Sequence, residues 1–133
     1  MATIRKHIEI NLASAQVWDV VRDVGAVHSR FAPGFVLDTK LEGGARVVSF
    51  ANGYTAREVI VSVDDELRRI AYSVDSPQLE HHNASFEVIA LSADRTRLVW
   101  TADVLPDSAR QTIAPMMDAG SEAIARALHR RNA

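Results

Sequence analysis

The stretch YTAREVIVSV, residues 54–63, carries the fold question of this chain. Its Val, Ile, Thr and Tyr content is that of a β-strand. Arg57 and Glu58 stand side by side in its first half, and neighbouring strand residues point to opposite faces. One of the two charges therefore faces whatever the sheet covers. Alternation alone groups Thr55, Arg57, Val59, Val61 and Val63 on the more apolar face, which would put Arg57 inside.

Working outward, the chain from Phe35 to Pro106 reads as a meander of six strands. FVLDTKLE runs to a Gly43-Gly44 turn, and ARVVSF runs to Asn52-Gly53, which predicts a two-residue hairpin and the tightest turn of the sheet. YTAREVIVSV ends at Asp64-Asp65-Glu66 and RRIAYSV at Ser76-Pro77. HHNASFEVIAL ends near Ser92-Ala93-Asp94, and TRLVWTADVL stops at Pro106.

Ahead of the meander, TIRKHIEINL alternates, with Ile4, Ile8, Ile10 and Leu12 on one face and Lys6 as the blemish on that face. Ser14 offers an N-cap for a helix to about Asp23, AVHSRF reads as a second short helix, and Pro33-Gly34 ends it. After the meander, Asp107 or Ser108 caps a helix to about Arg130, striped by Ile113, Met116, Met117, Gly120, Ile124 and Leu128. Pro115 either kinks this helix or starts its main segment. The basic end, Arg126, His129, Arg130 and Arg131, suits the negative pole of the helix.

Composition narrows the function classes. The 133 residues are one domain's worth, so 1–133 is expected to be a single domain. Fifteen basic and 17 acidic residues leave a net charge of −2, no footprint for nucleic acid or an anionic membrane. With no cysteine, disulfides and thiolate chemistry are excluded. MATIRKHIEI lacks the apolar core of a signal peptide, and no run approaches the ~18 apolar residues of a membrane span. The expected location is cytoplasmic, which makes the Asn83-Ala84-Ser85 sequon a chance match. No phosphate loop, nucleophile elbow or dinucleotide fingerprint is present.

The ordered set IEINLASAQVWDVVRD, LEGG, AREVIVSVDDELRRIAYSV and LVW before Pro106 resembles the START/Bet v 1-like (SRPBCC) superfamily, in particular its polyketide cyclase/dehydrase-like branch. The resemblance implies an α+β helix-grip fold. A curved seven-stranded antiparallel sheet wraps a long C-terminal helix, with two short helices between strands 1 and 2. It also implies that Glu58, with Ala56 and Ile60, points into the cavity while Arg57 faces out. The outer valines are then covered by the first helix or a second chain, or a bulge near Asp64 resets the register.

Carried along neighbouring strands, this register puts Tyr72, His82, Phe86 and Trp100 on the cavity wall, opposite Met117, Gly120 and Ile124 of the last helix. An apolar wall with a few polar groups is the usual make-up of a small-molecule site. His81 and His82 point opposite ways, so they form no metal clamp, and neither metal nor cofactor is expected. Gly120 makes room, for a strand or for a ligand. Trp18 reads as core.

The expected function is binding or carriage of a small, largely apolar molecule, aromatic or lipid-like, by a monomer or homodimer. One alternative is a cyclase/dehydrase-like enzyme in which Glu58 or His82 moves a proton, with an apolar cavity tuning Glu58. The other is an interaction module using the outer sheet face at Val59 and Val61. The plant receptors of the superfamily carry a strand-2 lysine and a flexible gate loop. FVLDT lacks the lysine, Asn52-Gly53 replaces the loop, and a hormone-gated role is not expected.

Overall fold

The computed structural model describes residues 2–132, with the side chains of residues 130–132 outside the description, so Arg130 and Arg131 of the basic run lie outside it. Strand β1 (Ala2–Ile10) is followed by helix α1 (Ser14–Val21) and a π-helical turn (Val27–Phe31). Six strands follow: β2 (Val36–Glu42), β3 (Ala45–Phe50), β4 (Thr55–Asp64), β5 (Arg69–Asp75), β6 (His81–Ser92) and β7 (Arg95–Leu105). A short 3-10 turn (Asp107–Ala109) leads into helix α2 (Arg110–Asn132). The strands form one antiparallel sheet in the order β1-β7-β6-β5-β4-β3-β2. This is the α+β helix-grip architecture, with the last strand paired to the first and α2 lying against β1.

The sheet buries one face. Ile4, Ile8 and Ile10 of β1 are buried there with Ile70, Phe86, Val88, Leu98 and Val104, and Met117, Ile124 and Leu128 of α2 cover them. Lys6 shares that face because its ammonium meets Asp118 of α2 at 2.6 Å. The ion pair accounts for the break in the apolar alternation of β1.

Three local expectations are corrected. Ser14 is the first helical residue, not the N-cap; that place is taken by Ala13, whose N–H donates to Gln16 Oε1 at 3.2 Å. The Ser14 hydroxyl instead accepts from Arg68. Asp107 and Ser108 do not cap α2 directly but lie within the 3-10 turn before it, and α2 runs through Pro115.

The third correction concerns the β3–β4 connection. Phe50 N–H donates to Tyr54 O at 2.8 Å and Gly53 N–H to Phe50 O at 3.0 Å, so the loop is the three residues Ala51-Asn52-Gly53. Gly53 takes φ +89°, the left-handed position that closes a three-residue hairpin and that glycine fills without strain. The tighter, two-residue turns are Gly43-Gly44 and Ala93-Asp94.

The bulge expected near Asp64 lies earlier, at Val61, between the Ile60–Tyr72 and Ser62–Ala71 pairs. The extra residue leaves Val61 67% exposed, while Val59 is half-buried. Among the described residues nothing covers Val61. Before the bulge, Ala56 and Glu58 are buried and Arg57 is exposed, its guanidinium 3.7 Å from Glu42.

Candidate functional site

Between the sheet and α2 lies a cavity of about 320 Å³. Its back wall is an aromatic row on three neighbouring strands: Tyr72 on β5, Phe86 on β6 and Trp100 on β7. Phe86 stacks on Trp100 with ring centres 4.8 Å apart, and on Tyr72 at 6.4 Å. Strand pairing makes the row, because Phe86 sits opposite Trp100 in the ladder and side chains of opposed residues share a face. Phe31 of the π-helical turn closes edge-on against Phe86 at 5.0 Å. Exposed Tyr54, Gln78, Ser108 and Thr112 also line the cavity and mark its mouth.

Of the residues expected at the site, Glu58, Tyr72, His82, Phe86, Trp100, Met117, Gly120 and Ile124 line this cavity. Ile60 does not; it packs half-buried against the core from its place opposite Tyr72. Gly120 makes room for protein rather than for open space. A Cβ there would stand 2.9 Å from Trp100 Cζ3 and 3.0 Å from Phe35 Cε2. Trp18 lies away from the cavity, 6% exposed, its indole N–H donating to Asp65 at 2.8 Å.

Glu58 does not stand alone in an apolar wall. Arg46 of β3 donates from Nε to Glu58 Oε1 at 2.7 Å, and both residues are buried, 5% and 8% exposed. The same guanidinium donates from Nη1 to Val24 O at 3.3 Å and lies over the Tyr72 ring, 5.1 Å from its centre. A carboxylate and a guanidinium can share a dry site only when each satisfies the other. Among the described residues these are the two formally charged side chains of the lining.

The sequence alone did not single out Arg46, although it alternates with Val48 and Phe50 on one face of ARVVSF, and the loop count is part of the reason. A two-residue Asn52-Gly53 hairpin would set Arg46 opposite Val59 and point it outward. The three-residue loop sets it opposite Glu58, on the cavity face. A one-residue difference in register exchanges the two faces of a strand. The available signal was the inward Glu58 itself, which demanded a cationic partner on a neighbouring strand.

The other polar groups are neutral near pH 7. Burial, with the neighbouring Glu58 charge, pushes the Tyr72 phenol well above its ordinary range, and its oxygen accepts from Trp100 Nε1 at 3.2 Å. Burial, with a smaller contribution from His81, pushes the His82 imidazole down to about 4. His81 points outward to Asn83, 2.7 Å away. Among the described residues no cluster of three or more His, Asp or Glu is placed to hold a metal, and no helix is long and apolar enough to cross a membrane.

A curved sheet closed by a C-terminal helix over an apolar, polar-spotted cavity is the helix-grip form. The chain belongs to the family described as polyketide cyclase / dehydrase and lipid transport, which matches residues 1–131. Solved structures of the same fold include a protein of Thermobifida fusca at 29% identity, covering 98% of this chain and 93% of its own, with a TM-score of 0.81. A START superfamily protein of Mycobacterium smegmatis is similar at 12% identity, 96% and 97% coverage and TM-score 0.79. Norcoclaurine synthase of Thalictrum flavum follows at 17% identity, 94% and 84% coverage and TM-score 0.71. No curated protein matches the chain.

Proposed function

We propose that this protein binds a small, largely apolar molecule in the cavity between the sheet and α2. The observation that carries the reading is the cavity itself: about 320 Å³, walled by an aromatic row and provided with a few fixed polar groups. That volume falls at the small end of ligand pockets, and an apolar cavity of roughly 150 Å³ already accepts benzene, so a molecule of about two fused rings is the natural size. Flat rings suit the Tyr72–Phe86–Trp100 wall.

Trp100 supplies the test. In a Trp18→Phe variant the remaining emission comes from Trp100 alone, and titration with flavone or 1,4-naphthoquinone should quench it saturably. The reciprocal Trp100→Phe variant, reporting through Trp18, should respond little. If a panel of aromatic and aliphatic probes leaves Trp100 unmoved, the binding reading fails.

A second reading is enzymatic, of the cyclase/dehydrase kind. It is favoured by the placement of His82, which faces the same cavity as Glu58 and puts an imidazole within the lining. Burial lowers its basicity, so it suits a hydrogen-bonding or relay role toward an acidic proton of a bound molecule rather than that of a strong base. Glu58, held by Arg46, is a poorer candidate. A His82→Gln variant that binds as wild type but stops converting a cyclising polyketide analogue would support this reading. Unchanged conversion would remove His82 from it.

A further inference from the structure

We infer that the cavity selects uncharged ligands that carry a hydrogen-bond acceptor, and that Glu58 enforces this choice by masking the Arg46 guanidinium against anions. This inference rests on the ligand-binding reading above and specifies the ligand's charge.

Arg46 alone would make the cavity an anion site, since a buried guanidinium attracts any carboxylate or phosphate that can reach it. Glu58 removes that attraction at source. Its Oε1 takes the Nε–H at 2.7 Å, and strand register holds the two residues directly opposite each other on β3 and β4. The lining then carries one positive and one negative charge, already joined, at 5% and 8% exposure.

An entering carboxylate would lose its own hydration and meet the Glu58 carboxylate across the same guanidinium. An entering ammonium would meet Arg46 and find Glu58 occupied. Neither charge is compensated, and an uncompensated charge in a dry site is costly. Tyr72 and His82 add no charge near pH 7.

The guanidinium is masked in charge but not exhausted in donors. Nε serves Glu58 and one Nη1 hydrogen serves Val24 O, and its other N–H groups find no partner among the described residues. A ketone or phenol oxygen can use them without bringing charge. The ligand class is therefore a neutral, roughly two-ring molecule with a carbonyl or hydroxyl, rather than a fatty acid or another carboxylate.

The experiment is calorimetric titration at neutral pH with three probes of one shape: 2-naphthol, 2-naphthoate and 2-naphthylmethylammonium. Wild type should bind 2-naphthol at least about tenfold more tightly than either ion, a gap of about 1.4 kcal/mol. Glu58→Gln keeps an acceptor for Arg46 Nε but removes the negative charge, and should shift the preference by about tenfold or more toward 2-naphthoate. Should Glu58→Gln not fold, Glu58→Asp, with its carboxylate withdrawn by one methylene, should narrow the naphthoate gap. Equal or tighter naphthoate binding by wild type overturns the inference. A neutral preference unchanged in the Glu58 variants overturns the role given to Glu58. Failure of all three probes to bind is a different result: it overturns the ligand-binding reading, and this inference with it.

Discussion

The two ends of the concave sheet face are built on different principles. At one end, where α1 packs on β6 and β7, Ile10, Val17, Ile70 and Leu98 are at most 1% exposed. The polar atom there, Thr96 Oγ1, is satisfied within the chain by donating to Leu12 O at 2.7 Å. At the other end, β3, β4 and the start of α2 hold an open volume with an ion pair in its wall. The first end is held by dispersion and exclusion of water. The second gives up some of that packing, and its shape depends on two charges satisfying each other. A cavity of this kind can be kept open because the closed end carries the stability.

The largest effect should come from breaking the ion pair. Arg46→Met leaves Glu58 buried without its partner and should cost about 3–5 kcal/mol in chemical denaturation. The double variant Arg46→Met/Glu58→Leu should recover most of that loss, because two apolar side chains need no pairing. At the closed end Leu98→Ala should cost about 2–5 kcal/mol, and no second-site change can restore it by charge balance. If the double variant stays as unstable as Arg46→Met, the cavity end is held by packing after all and the contrast is lost.

A smaller effect concerns His82. Its pKa falls from 6.5 in the unfolded chain to about 4 in the fold. The folded state therefore binds fewer protons than the unfolded state across that window. The stability gained from keeping the ring neutral is complete above about 6.5 and lost as pH falls to about 4. Because the ring is only partly buried, the loss should be on the order of 1–2 kcal/mol. His82→Asn should flatten the stability profile over this window and leave it parallel to wild type above it. A profile equally steep without His82 would assign the acid sensitivity elsewhere.

The smallest effect sharpens the boundary between the two ends. Gly120→Ala gains helix propensity of about 1 kcal/mol but crowds Trp100 and Phe35 at 2.9–3.0 Å. The two effects should nearly cancel in stability. Emission from Trp100 in the Trp18→Phe background should nonetheless shift, since its ring has to move. An unmoved spectrum would mean that α2 yields instead.

Much of the fold was legible because its signals are local. Alternation placed β1, the turn residues separated the strands, and the stripe from Ile113 to Leu128 announced α2. The orientation of β4 was not local. The valines made the wrong face look apolar, because the bulge at Val61 lets a strand change its exposed side part-way along. Only the resemblance put Glu58 inward. Arg46 was hidden for a related reason: its direction depends on how many residues the β3–β4 loop contains, and Asn-Gly fits more than one count. Gly120 was legible as a gap, but what fills it, the Trp100 and Phe35 rings, is decided by three elements distant in sequence.

The Ala51-Asn52-Gly53 loop has a consequence for how such a protein can vary. Residue identities there are constrained at Gly53, by its φ of +89°, and at Asn52, whose Oδ1 accepts from Tyr54 N–H at 3.0 Å. Loop length is constrained as well. Deleting one residue would re-pair β3 with β4 by a single step, turn Arg46 to solvent and leave Glu58 behind in the cavity. Adding one would do the same in the other direction. Among descendants of this chain, a point change in the loop acts on the loop alone, whereas a one-codon insertion or deletion would alter the chemistry of a pocket the loop residues themselves do not line. Parity of loop length, beyond the loop's own sequence, is what inheritance has to preserve there.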